Sequence, residues 1–196
     1  MTFLETESEF SSYPRIDYSL IGSVIEYYRA LGYAYIEVPW IVPKEIANIT
    51  CSDDEKILLV GNNCLVGSAE QSLIHLLTEN KLPLDIPFVA CTPCHRLNEP
   101  NTPHHFPQFM KVELGLVMSS RSNTDVKDRV ISMLRHAQSF MLEHTNKKIS
   151  EVTSSAQIDL EIEGIEVGSY GFRILPDTNI WCYGTGLAEP RFSMVK

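Results

Sequence analysis

Residues 92 to 115, TPCHRLNEPNTPHHFPQFMKVELG, crowd Cys94, His95, Arg96, Glu99, His104, His105, Phe109, Lys111 and Glu113 into one short stretch. Three chemistries use such residues: a metal site, a cysteine–histidine nucleophile, or a hairpin that grips an anion. Prolines interrupt the stretch, so it is not a helix throughout. A structural zinc would take Cys91 and Cys94 as a C-x-x-C pair, but the second pair that a tetrahedral site needs is missing, and zinc is not expected. Cys94 and His95 are neighbours on an expected strand. They point to opposite faces and cannot hydrogen-bond each other. On the outgoing strand, Phe109, Lys111 and Glu113 share one face, and Met110, Val112 and Leu114 share the other. The second face is core. The first reads equally as a solvated surface or as an aromatic, a cation and a carboxylate set in a row to meet a ligand. The chain has no G-x-S-x-G, no Walker loop and no G-x-G-x-x-G.

The elements that must position these residues can be read from periodicity. Leu20, Ile21, Val24, Ile25 and Tyr28 fall on one helical face over 18–30, and Gly32 ends that helix. YAYIEVPWIVP is β-rich and closes on Pro39 and Pro43. Residues 56–80 predict strand, Asn/Asn turn, strand, and a helix from about Ser68. IPFVACTPCHRL and FMKVELGLVMS predict the two strands that flank the opening loop. A long helix follows, with its apolar stripe at Val126, Val130, Met133, Leu134, Ala137, Phe140 and Met141. AQIDLEIEGIEVGSYGFRI alternates and then slips phase at Glu163-Gly164, which predicts a tight hairpin or a bulge. The C-terminal stretch predicts a strand, a Gly-rich bend at Gly184 and Gly186, and the start of a helix. The fold class is α+β, with a mainly antiparallel sheet flanked by helices.

The 196 residues suit one domain over 15–196, after a loose arm at 1–14. A net charge of −9 argues against a broad contact with nucleic acid, because phosphates need a basic face. No apolar run is long enough to span a bilayer, and the acidic start MTFLETESEFSS is not a secretory signal. Five cysteines in no repeated spacing predict free thiols and a cytoplasmic protein.

Three stretches, in order, resemble the three motifs of class II aminoacyl-tRNA synthetases. RALGYAYIEVPWIVP is similar to motif 1, HRLNEPNTPHHFPQFMKVELG to motif 2 and GTGLAEPRF to motif 3. LVGSAEQSL, DLEI and EVGS lean toward seryl-tRNA synthetase and the seryl-like amino acid:carrier protein ligases. The resemblance implies the class II synthetase/biotin ligase-like core without an anticodon-binding domain. It also implies ATP and Mg2+ as cofactors. Arg96 matches the motif 2 arginine on the α-phosphate, Phe109 the aromatic under adenine, and Arg191 the motif 3 arginine over the base. Glu99, His105, Gly184 and Gly186 match further ATP contacts. Glu166, with Asp159 as a second candidate, matches the metal-binding acid. Ser68, Glu70, Glu113 and Ser169 match the amino acid pocket. Catalysis would fall to Arg96, Arg191 and Glu166. Motif 1 implies a homodimer through residues 16–43.

Two readings of function follow. One is a stand-alone enzyme that forms an aminoacyl-adenylate and passes it to an acceptor other than tRNA, such as a carrier protein, a peptide or a metabolite. The other is a catalytically inactive paralogue that senses or scaffolds. Arg96-Leu97-Asn98-Glu99, one residue longer than the usual R-x-E, and Pro190 in place of an acid before Arg191 both lean toward the second.

Overall fold

The computed structural model describes residues 15–51, 53–98, 102–119, 123–154, 157–175 and 179–196. The expected arm at 1–14 and the expected ATP contact Glu99 lie outside them.

Helix α1, Tyr18–Ala30, starts where the Asp17 carboxylate accepts the Leu20 N–H at 2.9 Å and ends before Gly32, whose φ of +90° suits glycine alone. The β-rich stretch after it does not form one strand. Ala34–Tyr35 (β1) pairs parallel with Pro87–His95 (β5), and Ile41–Pro43 (β2) joins a separate sheet. Pro39 lies between them. A short helix not foreseen from the sequence, Lys44–Thr50 (α2), begins directly after Pro43. Leu59–Val60 (β3) and Asn63–Leu65 (β4) turn at Gly61-Asn62 and complete a three-stranded sheet ordered β2-β4-β3. Ser68 then caps Ala69–Thr78 (α3), its Oγ accepting the Glu70 N–H.

The main sheet is built from β5, Gln108–Met118 (β6), Ile149–Thr153 (β7), Gln157–Ile162 (β8), Ile165–Ile174 (β9) and Ile180–Glu189 (β10), with β1 at one edge. Its order is β1-β5-β6-β10-β9-β8-β7, and every pair except β1 with β5 is antiparallel. Glu163 and Gly164 both have positive φ, at +53° and +80°, so β8 and β9 meet in a two-residue turn of the primed kind. Of the two expected forms, Glu163-Gly164 takes the hairpin; a separate register shift lies before it, between Leu160 and Glu161.

One face of the sheet packs on α1 and on Asn123–His144 (α4), and the other carries α3. Alternation on β6 divides accordingly. Val112, Leu114, Leu116 and Met118 lie under α1 and α4, while Val117 packs beneath α3. Lys111 and Glu113 share the α3 side and continue beyond the apolar cluster.

The expected Gly-rich bend is absent. The strand β10 runs unbroken from Ile180 to Glu189, with a register shift between Thr185 and Leu187, and the helix begins only at Arg191–Val195 (α5). Gly184 and Gly186 serve close packing instead. A Cβ at Gly184 would lie 2.6 Å from Tyr170 Cδ1, and one at Gly186 would lie 2.8 Å from Tyr28 Cε2. The hydroxyl of Tyr170 donates to the Thr185 carbonyl at 2.6 Å and that of Tyr28 to the Gly186 carbonyl at 3.1 Å, tying down the backbone at the bulge.

Candidate active site

Arg96 follows directly on β5. Its N–H donates to the Pro107 carbonyl, closing the neck of the β5–β6 hairpin, and its Nε donates to the Gly67 carbonyl at 3.1 Å. That bond sets the guanidinium over the Phe109 ring, 5.1 Å from its centroid. Arg191 opens α5 from the far end of β10. Its Nε donates to the His104 carbonyl at 3.1 Å, its Nη1 donates to the Glu166 carbonyl at 3.3 Å, and the same nitrogen lies 3.6 Å from the Glu166 carboxylate. Both guanidinium groups line one narrow cleft, joined there by Phe106, Phe109, Lys111 and Glu166. Two residues before Arg191, the enclosed carboxylate of Glu189 accepts the Ser193 and Asp17 N–H groups at 3.1 and 3.3 Å. It thereby braces the first turn of α5 against the start of α1. Burial holds its pKa above the usual carboxylate range.

A second cavity, of about 330 Å3, shares Arg96, Lys111 and Glu166 with this cleft and adds Ser68, Glu70, Glu113, Ser169, Arg173 and Tyr183. Its carboxylates are held in place. Glu113 accepts from Ser68 Oγ at 2.7 Å and from Lys111 Nζ at 3.0 Å. Glu70 accepts from Trp181 Nε1 at 2.8 Å and from Arg173 Nε at 3.0 Å, with Arg173 Nη2 at 3.4 Å. Burial pushes the Glu70 pKa up from 4.5 to about 6, against the opposing pull of Arg173. The Arg173 guanidinium in turn lies 4.8 Å over the Tyr183 ring. Two acids and two cations thus form paired walls, as enclosed charges must.

The expected site residues separate into groups. Arg96, Phe109, Glu166 and Arg191 surround the cleft, and Ser68, Glu70, Glu113 and Ser169 surround the adjoining cavity. Ser169 also donates its N–H to Thr185 Oγ1 at 3.3 Å. Asp159 stands opposite Ser169 across β8 and β9, where Gln157 Nε2 donates to it at 3.0 Å. His105 is exposed and bonds Thr102 Oγ1 through Nδ1; the carbonyl of its neighbour His104 is the one that meets Arg191. Gly184 and Gly186 meet tyrosine rings rather than either cavity. Among the described residues, no three His, Cys, Asp or Glu side chains gather as a metal cluster. Burial raises the thiols of Cys91 and Cys94 to about 12 and about 11, as befits small enclosed side chains.

Phe106, Arg173, Trp181 and Tyr183 were not singled out from the sequence. Strand alternation places Arg173 on the face of Ser169, and Trp181 and Tyr183 on that of Thr185, which is the one local signal they carried.

Neither the protein-family models nor the curated protein sequences give a match. Solved structures do. Pyrrolysyl-tRNA synthetase from Desulfitobacterium hafniense superposes with a TM-score of 0.72 at 17% identity, over 90% of this chain and 68% of that one. A second structure from the same organism, PylSc, gives 0.74 at 18%, over 98% and 72%. Seryl-tRNA synthetase from Pyrococcus horikoshii, complexed with ATP, gives 0.71 at 18% over 91% of this chain. The chain has the class II aminoacyl-tRNA synthetase catalytic fold. Cytoplasmic serine-tRNA ligase from Naegleria fowleri, in complex with AMP, gives 0.71 at 17%. This chain spans about half the length of the two seryl enzymes, 46% and 49%. At these identities the likeness is one of fold, and the synthetase-like core is what it establishes.

Proposed function

We propose that this synthetase-like chain binds ATP and an amino acid and joins them as an aminoacyl-adenylate. The observation that carries this reading is the convergence of Arg96 and Arg191, from the two outer strands of the β5-β6-β10 layer, on one cleft that adjoins a polar cavity. Activation brings two anions together. A carboxylate oxygen attacks the α-phosphorus, the bond from that phosphorus to the bridging oxygen breaks, and pyrophosphate leaves with its electron pair. Fixed cations must offset charge at the attack and on the leaving group. Arg96 and Lys111 sit where the cleft and the cavity join, the position at which α-phosphate and carboxylate would meet. Arg191 stands across from Phe109, so that base and triphosphate would pass between them, Arg96 sliding off the ring toward phosphate. The cation-and-aromatic donor set suits a nucleotide.

Glu166, half-exposed at the same junction, suits Mg2+, which takes one or two protein carboxylates and fills its shell with phosphate and water. The metal would supply neutralisation of the phosphates. Asp159 is the second candidate for that shell. Ser68, Glu70, Glu113 and Ser169 would hold the amino acid. The acceptor is a carrier protein, a peptide or a small metabolite, since a net charge of −9 offers little to a tRNA. A homodimer through residues 16–43 accounts for Tyr18, Tyr35, Trp40 and Ile41, large apolar side chains standing in solvent within that segment.

ATP–pyrophosphate exchange across the twenty amino acids tests the proposal. One amino acid should support exchange, and Arg96→Ala should cut it by about a hundredfold or more. Binding of ATP with no exchange for any amino acid would favour the sensor or scaffold reading. No binding of ATP at all would remove both.

A further inference from the structure

We infer that the amino acid taken by the polar cavity carries a side chain ending in a primary carboxamide, read jointly by Glu70 and Arg173. The inference rests on the activation reading above and narrows its substrate class.

Orientation comes first. The substrate carboxylate must lie by Arg96 and Lys111, where the cavity meets the nucleotide cleft. The side chain then points inward along the strands. Sheet register orders the floor in that direction. Glu113 stands opposite Thr185, Gly115 opposite Tyr183, and Val117 opposite Trp181, which in turn faces Arg173 across β10 and β9. Glu70 comes down on this inner end from α3. An inward-pointing side chain therefore ends against Glu70 and Arg173, over the ring of Tyr183.

The bonding capacity left at that end is specific. Glu70 Oε1 is filled by Trp181 Nε1 and Arg173 Nε, whereas Oε2 has only the long 3.4 Å contact with Arg173 Nη2. Arg173 Nη1 makes no hydrogen bond among the described residues. What remains is acceptor capacity at Glu70 Oε2 and donor capacity at Arg173 Nη1, side by side on two groups that fix each other. A primary carboxamide is their complement: its oxygen accepts from Arg173, and its NH2 donates to Glu70. Other side chains fit worse. An apolar group would strip water from both and satisfy neither. A carboxylate would face Glu70, an ammonium would face Arg173, and a hydroxyl as short as that of serine would end beside Glu113.

Calorimetry tests this in two steps. First, the full chain is titrated with a non-hydrolysable ATP analogue. Failure to bind would overturn the activation reading, and this inference with it. Second, the analogue complex is titrated with asparagine, glutamine, aspartate, glutamate, serine and leucine. Asparagine or glutamine should bind at least about a hundredfold more tightly than its own acid, serine or leucine; which of the two wins reports the reach. Glu70→Gln keeps an oxygen for Trp181 and Arg173 but turns the second acceptor into a donor. It should reverse the preference from amide toward the corresponding acid, a change that mere loss of folding cannot produce. Analogue binding followed by a preference for serine, leucine or an acid, by no amino acid binding, or by an amide-to-acid ratio that Glu70→Gln leaves unchanged, would overturn the inference and leave nucleotide binding standing.

Discussion

Gly115→Ala puts the inner wall of the cavity under direct load. A Cβ at this position would lie 2.6 Å from Trp181 Cη2 and 3.0 Å from Cζ2. These are ring atoms of a fully buried side chain whose Nε1 is held by Glu70 at 2.8 Å, so the indole has no free direction in which to move. Overpacking of this kind costs about 1–3 kcal/mol. For a chain of this size each kcal/mol moves Tm by about 2–4 °C, so the variant should melt roughly 2–12 °C below wild type. Thermal unfolding followed by circular dichroism reads the shift. The control is a double-mutant cycle with Trp181→Phe, which removes the clashing atoms at the cost of a cavity and of the N–H to Glu70. The double variant should be more stable than the two single losses predict, with a coupling of about 1 kcal/mol or more. A Gly115→Ala protein that melts with wild type, or strictly additive losses, would refute the packing of the indole on Gly115 and with it the fixed seat of Glu70.

Further expectations concern the bulge, the assembly and pH. Tyr170→Phe removes the donor to the Thr185 carbonyl and should cost about 1–3 kcal/mol in urea unfolding. The mass in solution at micromolar concentration should be that of a dimer, and Trp40→Glu should shift it toward the monomer; a wild-type monomer would count against the 16–43 interface. Glu70 has its folded pKa raised above the unfolded value of 4.5 to about 6, so its stabilising contribution is full below 4.5 and is lost as pH rises through about 6. Measured against Glu70→Gln, wild type should lose about 2 kcal/mol of relative stability from about pH 4 to about pH 7; equal slopes would refute the burial of a titrating Glu70.

Much of the fold was legible because local pattern and tertiary demand agree. On β6 the alternation separated Lys111 and Glu113 from Val112 and Leu114, and the packing of α1, α3 and α4 respects that split. Glu163-Gly164 announced its turn through the one residue type that accepts φ of +80° freely. The misreadings have long-range causes. Gly184 and Gly186 read as a bend because glycine is commonest there, yet both answer to rings contributed by Tyr170 and Tyr28. Arg173 looked like an ordinary strand arginine, since its partner Glu70 lies 103 positions earlier and only the descent of α3 onto the sheet joins them. The short strands β1 and β2 lie within a single β-rich run, and the sequence does not mark that they belong to different sheets. Helix α2 and strand β7 carried too few residues with a clear period to be found.

The bond from Tyr28 to the Gly186 carbonyl ties helix α1 to the last stretch of β10. Tyr28 belongs to the helix whose segment is proposed for subunit contact, while Gly186 lies five residues ahead of Arg191, on the strand that delivers that cation to the cleft. In the proposed dimer, a protomer that seats its neighbour through this helix would also steady the last stretch of that strand. If the proposed dimer forms through that segment, its dissociation would loosen Arg191 without touching a single residue of the cleft.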